Sequence, residues 1–428
     1  MRVAVIGGGY AGMAAAMELA LAGRQVEVFE AGPVLGGRAR RIEVEGLVLD
    51  NGQHMAIGAY RELLRLLHLA GVAEQDVFAR LPMELDVFEG PKRTMRLACP
   101  RLPAPMHTMV GLCCAQGLSW AERWAAVRLM GKARLNGWRL AQDQSVAQWL
   151  AANRQPKILV RCLWEPLTLA ALNTPIAAAS AQVLLNVLRD SLAASRAASD
   201  FLLPRVDLST VFPDAAARYL RQLGGKVHTG AMIKQLQKTN AGWQLDRSTL
   251  PFQQVVIALP PHRLGMLADG IAALATPLAQ LANWAWQPIY TVYLRYPAGT
   301  HLPKPMLGMA GSTTQWLFDR GLLCGQDGLM AAVVSAEGPH EAWSQDVLAT
   351  TVAQEIQRSL PNLPAPLWHR VIAEKRATFA CYPNLQRPGN TTSDPTLWLA
   401  GDYTASDYPA TLEGAIRSGM AAAHGILS

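Results

Sequence analysis

Gly7, Gly9 and Gly12 stand in a Gly-x-Gly-x-x-Gly spacing directly behind the apolar run Val3 to Ile6 and ahead of the alanine-rich stretch Met13 to Ala22. That order reads as strand, glycine turn and helix. Gly7 suits a tight turn, Gly9 and its neighbour Ala11 let a pyrophosphate approach the backbone at the positive helix end, and Gly12 lets helix and strand pack closely. The second strand, Gln25 to Phe29, ends at Glu30, eighteen residues past Gly12. A carboxylate at that offset accepts ribose hydroxyls and repels a 2′-phosphate, so the nucleotide is NAD or FAD rather than NADP.

The next residues choose between the two. Ala31, then Gly36-Gly37-Arg38, put a second glycine turn and a cation just past the ribose carboxylate, where a bent FAD needs another close backbone approach and a countercharge. At the far end, the short apolar run Leu397 to Ala400 stops at Gly401-Asp402, and Tyr408 to Gly419 follows as the opening of a helix. A positive helix end near Thr411 and Leu412 would stabilise the negative charge of a reduced flavin. Together these segments resemble the flavin amine oxidase and carotenoid desaturase superfamily. The resemblance implies FAD as cofactor, Gly37, Arg38, Gly401 and Asp402 at its pyrophosphate and ribityl chain, Thr411 and Leu412 at the ring, Gln53 nearby, and the backbone at Val227 against the adenine. No second dinucleotide motif occurs, so electrons come from an external donor met transiently.

These motifs need elements to hold them, and the chain is long enough for two or three domains. The expected fold class is α/β: a Rossmann-like FAD-binding domain of the GR2 flavoprotein type, assembled from residues 1–75, 204–268 and 366–428. Between these lie a helical substrate- and membrane-facing insertion, 76–203, and an α+β substrate-binding insertion, 269–365. Within them, Glu84 to Phe88 and Thr94 to Leu97 read as a hairpin, Ile289 to Tyr296 and Leu329 to Ser335 as strands, and Pro213 to Leu223 and Gln345 to Ser359 as helices. Ser145 and Gln148 read as a capping box. The six cysteines show no metal-ligand or redox-pair spacing, which predicts a reduced cytoplasmic setting and no metal. Strand one begins at Arg2, without the pattern of a signal peptide.

Charged residues make up 17% of the chain and the mean hydropathy is +0.11, against roughly 25% charge in ordinary soluble domains. That shortfall predicts a large apolar pocket, a membrane-facing patch, or both. The net charge of +7 is concentrated: residues 92–139 hold nine Lys or Arg and one acid, Glu122. Trp120, Trp124 and Trp138 share this stretch, on a helix opening at Ser119. Basic residues interleaved with Trp and Leu read as an interfacial segment for anionic lipid, placing the chain peripherally on the inner face of the membrane. The competing reading is a solvated basic helix; nucleic acid is not expected.

Leu163-Trp164-Glu165-Pro166 through Asn173-Thr174-Pro175, Leu203-Pro204-Arg205-Val206-Asp207, Asp50-Asn51-Gly52-Gln53-His54 and Lys375-Arg376-Ala377-Thr378 together resemble the bacterial hydroxysqualene dehydroxylases, of squalene and hopanoid biosynthesis, over nearly the whole chain. That resemblance implies an FAD-dependent reductive dehydroxylation of a long isoprenoid lipid. Carotenoid-type desaturation is the alternative; amine oxidation and a non-catalytic FAD-bound partner of an isoprenoid synthase rank below it. Dehydroxylation needs a proton donor near the departing oxygen. The candidates are His54, Asp407 and Tyr408, with Glu165 behind them. Trp164, Trp284, Trp286 and Trp316 are candidates to line the tunnel.

Overall fold

The computed structural model describes residues 1–428. Strand β1 (Arg2–Ile6), helix α1 (Tyr10–Leu21) and strand β2 (Gln25–Phe29) form the opening βαβ unit. They belong to a five-stranded parallel sheet, ordered Lys226–His228, β2, β1, Gln254–Ile257, Leu397–Leu399. Val3, Ala4 and Val5 are fully buried, as expected of a parallel strand covered on both faces. Helix α1 lies against the C-terminal helix Leu412–Leu427, and the contact is made of small residues: a Cβ on Gly419 would fall 2.0 Å from the Ala11 carbonyl oxygen. The alanines of α1 allow this approach, and ten of its twelve residues are buried.

The second sheet has seven strands, in the order Trp368–Phe379, Trp286–Arg295, Leu329–Ser335, Trp316–Asp319, Met306–Met309, Glu84–Glu89, Lys92–Ala98. Leu329–Ser335 is buried at all seven positions, and the helix Gln345–Ser359 packs on one face of this sheet. Two boundaries expected from sequence change here. Residues 368–379 lie within the segment assigned to the nucleotide-binding part, yet they pair along the full length of Trp286–Arg295. Their many charges, among them His369, Arg370, Glu374, Lys375 and Arg376, suit an exposed edge that must resist pairing with other chains. The hairpin at 84–98, assigned to the first insertion, adds to the opposite end through Met306–Met309.

Apart from the strands Phe78–Leu81 and Phe201–Pro204, which pair with each other, the rest of the first insertion is helical. The expected capping box forms between Ser145 and Gln148, and a second, Ser119 with Glu122, heads the helix Trp120–Leu135. Two turns are wound as π-helix, Val160–Trp164 and Arg189–Ala193. Such turns are rare and gather at functional sites. No helix is long and apolar enough to cross a membrane.

Candidate active site

A cavity of about 910 Å³ runs from the glycine turn behind β1 to the inner face of the seven-stranded sheet. Its near end is made of backbone. Gly7 sits at φ +113°, and a Cβ there would lie 2.5 Å from the Ala258 carbonyl oxygen, so the turn admits glycine alone. Gly36 and Gly37 also have positive φ, and the amide of Gly36 donates to the Gly8 carbonyl at 2.9 Å. The two glycine turns therefore face each other: a Cβ on Gly37 would approach the Gly9 Cα to 3.3 Å. Gly12 does not line the cavity. It lies behind the turn, where a Cβ would fall 1.9 Å from the Gly7 oxygen.

Glu30 ties these loops together. One carboxylate oxygen accepts from the amide of Gly8 and the other from the amide of Gly32, both at 2.7 Å. A carboxylate has about four acceptor positions, so two remain for ribose hydroxyls. Ala11 and Ala31 line the same end. Val227 does not. It is held in the edge strand by pairing with Val28, and Met232 and Ile233 close this end of the cavity instead.

Farther in, the two ends of the chain meet. Arg38 donates to Asp402 Oδ1 at 2.5 Å and to the Ala377 carbonyl at 2.6 Å. Asp402 is 8% exposed, so the pair is shielded and its charges are felt at the cavity wall. Thr411 caps the C-terminal helix, accepting from the Gly414 amide at 3.0 Å, and Thr411, Leu412 and Ala415 line the cavity. The positive end of a sixteen-residue helix thus opens onto it.

The segment 50–54 forms the floor beside this helix end. Gln53 and His54 line the cavity. Gln53 Oε1 accepts from Arg320 at 2.8 Å, and the same guanidinium lies 3.3 Å from Asp50 Oδ2. Arg320 and Asp50 are 3% and 1% exposed. Burial raises the Asp50 carboxyl to about 6, against the opposing pull of Arg320. The Leu208 amide donates to Asp50 Oδ1 at 2.8 Å, and the Tyr293 hydroxyl bonds its backbone. His54 Nδ1 lies 2.7 Å from the Gly52 carbonyl. A carbonyl only accepts, so Nδ1 carries the proton and, in the neutral ring, Nε2 is an acceptor. Burial holds the pKa of His54 below its ordinary value.

The other acid candidates lie elsewhere. Asp407 is exposed and outside the cavity. Tyr408 is also outside, its hydroxyl spent on Asp190. The cause is Arg387, whose guanidinium donates to the carbonyls of Asp402 (2.6 Å), Tyr403 (3.3 Å), Ser406 (3.2 Å) and Tyr408 (2.6 Å), wrapping the loop around itself. Glu165 is half-buried and does not line the cavity. Of the four candidate tryptophans, Trp316 lines this cavity; Trp284 and Trp286 pack with Phe379 and His262.

Several further residues line the cavity. Tyr60, Asn173, His262, Tyr403 and Trp316 all reach the cavity. The Tyr403 hydroxyl and the Trp316 indole N–H are buried donors with no protein partner. Trp316 is one of the tryptophans expected to line the tunnel; Tyr403 stands directly after the Gly-Asp turn, within reach of that motif. The glycine cradle, the Arg38–Asp402 pair, the helix end and an orphaned phenol fit a dinucleotide carrying a flavin. The far end, at Leu169, Ile289, Trp316, Phe318 and Val333, is apolar, and no lysine lines any part of the cavity.

Comparison with known proteins agrees. The profile of the flavin-containing amine oxidoreductases matches residues 10–427. Hydroxysqualene dehydroxylases from Sinorhizobium fredii and Rhodopseudomonas palustris are 28% and 29% identical, each aligned over 100% of this chain and 98% of its own length. A 15-cis-phytoene desaturase from Synechococcus elongatus is 24% identical over 100% of this chain and 96% of its own. Among solved structures, an oxidoreductase from Methanosarcina mazei superposes with a TM-score of 0.75 at 16% identity, covering 98% of this chain and 99% of that one.

Proposed function

The chain belongs to the flavin-containing amine oxidoreductase family and is a flavin-dependent oxidoreductase, and from that premise we propose that it binds FAD and reductively removes the hydroxyl of hydroxysqualene to give squalene. The observation that carries this reading is full-length similarity to hydroxysqualene dehydroxylases joined to a cavity whose far half is apolar and free of lysine. The lining has no lysine to hold the water that amine oxidation often uses. In this reading, residues 1–75 and 204–268, with the chain end beyond the edge strand, hold the cofactor. Gly7, Gly9, Ala11, Gly37 and Arg38 hold its pyrophosphate, Glu30 and Ala31 its ribose, and Gly401, Asp402, Gln53, Thr411 and Leu412 its flavin half.

FAD bound here in its reduced form would supply the hydride and be oxidised in doing so. The rest is the work of the protein. The allylic C–O bond breaks as the oxygen takes a proton and leaves as water, and the carbon left electron-poor takes the hydride. Apolar walls exclude bulk water from that carbon. His54 lies nearest to the required role, with Nε2 as acceptor from the substrate hydroxyl in the neutral ring and as proton donor in the charged one. Because burial lowers its pKa, the donor form grows only as pH falls below the ordinary histidine range.

The test is single turnover under anaerobic conditions, using enzyme loaded with reduced 5-deazaflavin dinucleotide deuterated at the non-exchanging C5. Squalene bearing one deuterium at the former carbinol carbon is expected. Unlabelled squalene contradicts direct hydride delivery, and desaturation of phytoene by the oxidised enzyme with no squalene formed promotes the carotenoid reading. With ordinary FAD, the rate should rise toward acid pH, and His54→Gln should flatten that limb while lowering turnover by roughly 10²- to 10⁴-fold. A His54→Gln enzyme with an unchanged limb places the acid elsewhere.

The substrate dissolves in lipid, and we read the face around Trp120–Leu135 as the part that meets it, on the inner leaflet. Trp120 and Trp124 are 66% and 60% exposed, and Met106 and Leu135 are exposed beside them. Arg128, Lys132 and Arg134 lie on the same helix. Arg123 is already engaged, bonding the Leu118 and Cys113 carbonyls. Replacing Arg128, Lys132 and Arg134 with Gln should weaken sedimentation with anionic vesicles by up to about 3 kcal/mol, at about 1 kcal/mol per charge. Binding that is indifferent to these charges and to salt would return the helix to the solvated reading.

A further inference from the structure

A second, wholly separate cavity lies between the first one and the exposed tryptophan face. It is lined by ten residues, nine of them apolar, including Met83, Leu97, Leu112, Met130, Leu163 and Leu167. Its volume is about 20 Å³, space for one water and no more. The lining offers a water nothing: Thr108, its one polar residue, donates its hydroxyl to the Pro105 carbonyl at 2.8 Å. An apolar void of this kind stays dry.

Three observations give the void a direction. Leu163 and Leu167 belong to the run that continues directly into Leu169 and Ala170, which line the first cavity, so one turn of helix separates the two spaces. The opposite wall is the inner side of Met106–Cys113 and Trp120–Leu135, supplied by Thr108, Leu112 and Met130, whose outer sides carry Met106, Trp120 and Trp124. Both π-helical turns of the protein end here, one giving Leu163 and Trp164, the other Leu192. Two methionines and five leucines are flexible enough to rotate apart, methionine above all, whereas a rigid aromatic wall would not be.

We propose that this seam is the closed form of an apolar conduit, which opens to hold the distal part of a long hydrocarbon chain while its reacting carbon sits in the first cavity. The proposal rests on the isoprenoid reading above and deepens it by assigning the residues that take the chain's far end. Nothing along the seam would hydrogen-bond a substrate, so the selection is for length and apolarity alone.

Two measurements on the flavin-loaded protein decide it. Trp164 and Cys99 both line the seam, and burial lifts the Cys99 thiol to about 12, so it reacts slowly and any protection is easy to follow. Saturating squalene is expected to slow alkylation of Cys99 by an apolar maleimide at least fivefold, read by peptide mass, with exposed Cys114 unaffected. 1-Bromohexadecane is expected to quench a fluorescence component that disappears in Trp164→Phe, and Leu167→Phe, which fills the seam, should abolish that component. Should Leu167→Phe fail to retain flavin, the unmodified protein still decides between the outcomes through Cys99. Unchanged alkylation under saturating squalene, or quenching that survives intact in Trp164→Phe, overturns the conduit. Neither readout requires turnover, so failure of the dehydroxylation assay and failure of the conduit are separate results.

Discussion

Gly12→Val should purify colourless and melt well below the unaltered protein. The first atom of any side chain at this position meets the Gly7 carbonyl oxygen at 1.9 Å, with the Ala258 methyl at 3.2 Å behind it. The first obstacle is backbone in the tight turn, and the second sits directly after the strand Gln254–Ile257. The helix has to back away, which takes the turn with it and opens a core otherwise fully buried at Met13 and Ala14. Overpacking of this kind costs about 1–3 kcal/mol and more where the backbone is the obstacle. Gly9→Ala supplies the contrast. Its Cβ would have ordinary contact, 3.7 Å, with Gly37, at a φ of −79° that alanine accepts. That variant should keep its melting temperature and still lose flavin, because the methyl fills the cradle between the two turns. Visible absorbance and thermal melting read both effects. Full flavin occupancy in the two variants would mean that the cofactor does not lie against these turns.

Arg320→Met is expected to cost about 3–5 kcal/mol of stability, the usual result of stranding one member of a buried ion pair. Asp50, 1% exposed, would keep only the Leu208 amide for its carboxylate. The loss should depend on pH. Burial has already raised Asp50 to about 6, and removing the arginine takes away the charge that opposes the rise. A carboxyl whose pKa is raised on folding favours the fold while protonated in both states, and that contribution drains away as pH climbs through the folded-state value. The penalty should therefore be largest near pH 8 and shrink toward pH 5, and Asp50→Asn in the same chain should recover part of it. Chemical denaturation at both pH values measures this. A penalty under about 1 kcal/mol, or one that ignores pH, would show the charge to be solvated after all.

What the sequence disclosed depended on the range over which each signal operates. Gly7, Gly9, Gly12 and Glu30 were readable because turn, helix start and strand end are local and their spacing is set by the geometry of one βαβ unit. Strand Leu329–Ser335 and helix Gln345–Ser359 appear where their patterns put them. Asp407 and Tyr408 misled because closeness in sequence to a cavity-lining helix says nothing about loop direction. That direction is set by Arg387, fifteen to twenty-one residues upstream of the carbonyls it gathers. The strand Trp368–Phe379 was hidden because an edge strand has one partner and many charges, leaving no clean alternation to read. Arg320 carried no signal at all: its partners Asp50 and Gln53 lie about 270 residues away.

The order of strands in the five-stranded sheet bears on when this protein can become an enzyme. β1 is among the first residues made, but its neighbour Gln254–Ile257 and the closing strand Leu397–Leu399 come far later. At a synthesis rate of about 5–20 residues per second, the opening βαβ unit waits roughly 20 to 80 seconds for the last strand. Throughout that interval α1 lacks the C-terminal helix that packs on it, and the Arg38 side chain has no Asp402. Because Arg38 and Asp402 come from opposite ends of the chain, the flavin site is expected to be complete only once the last strand has been made.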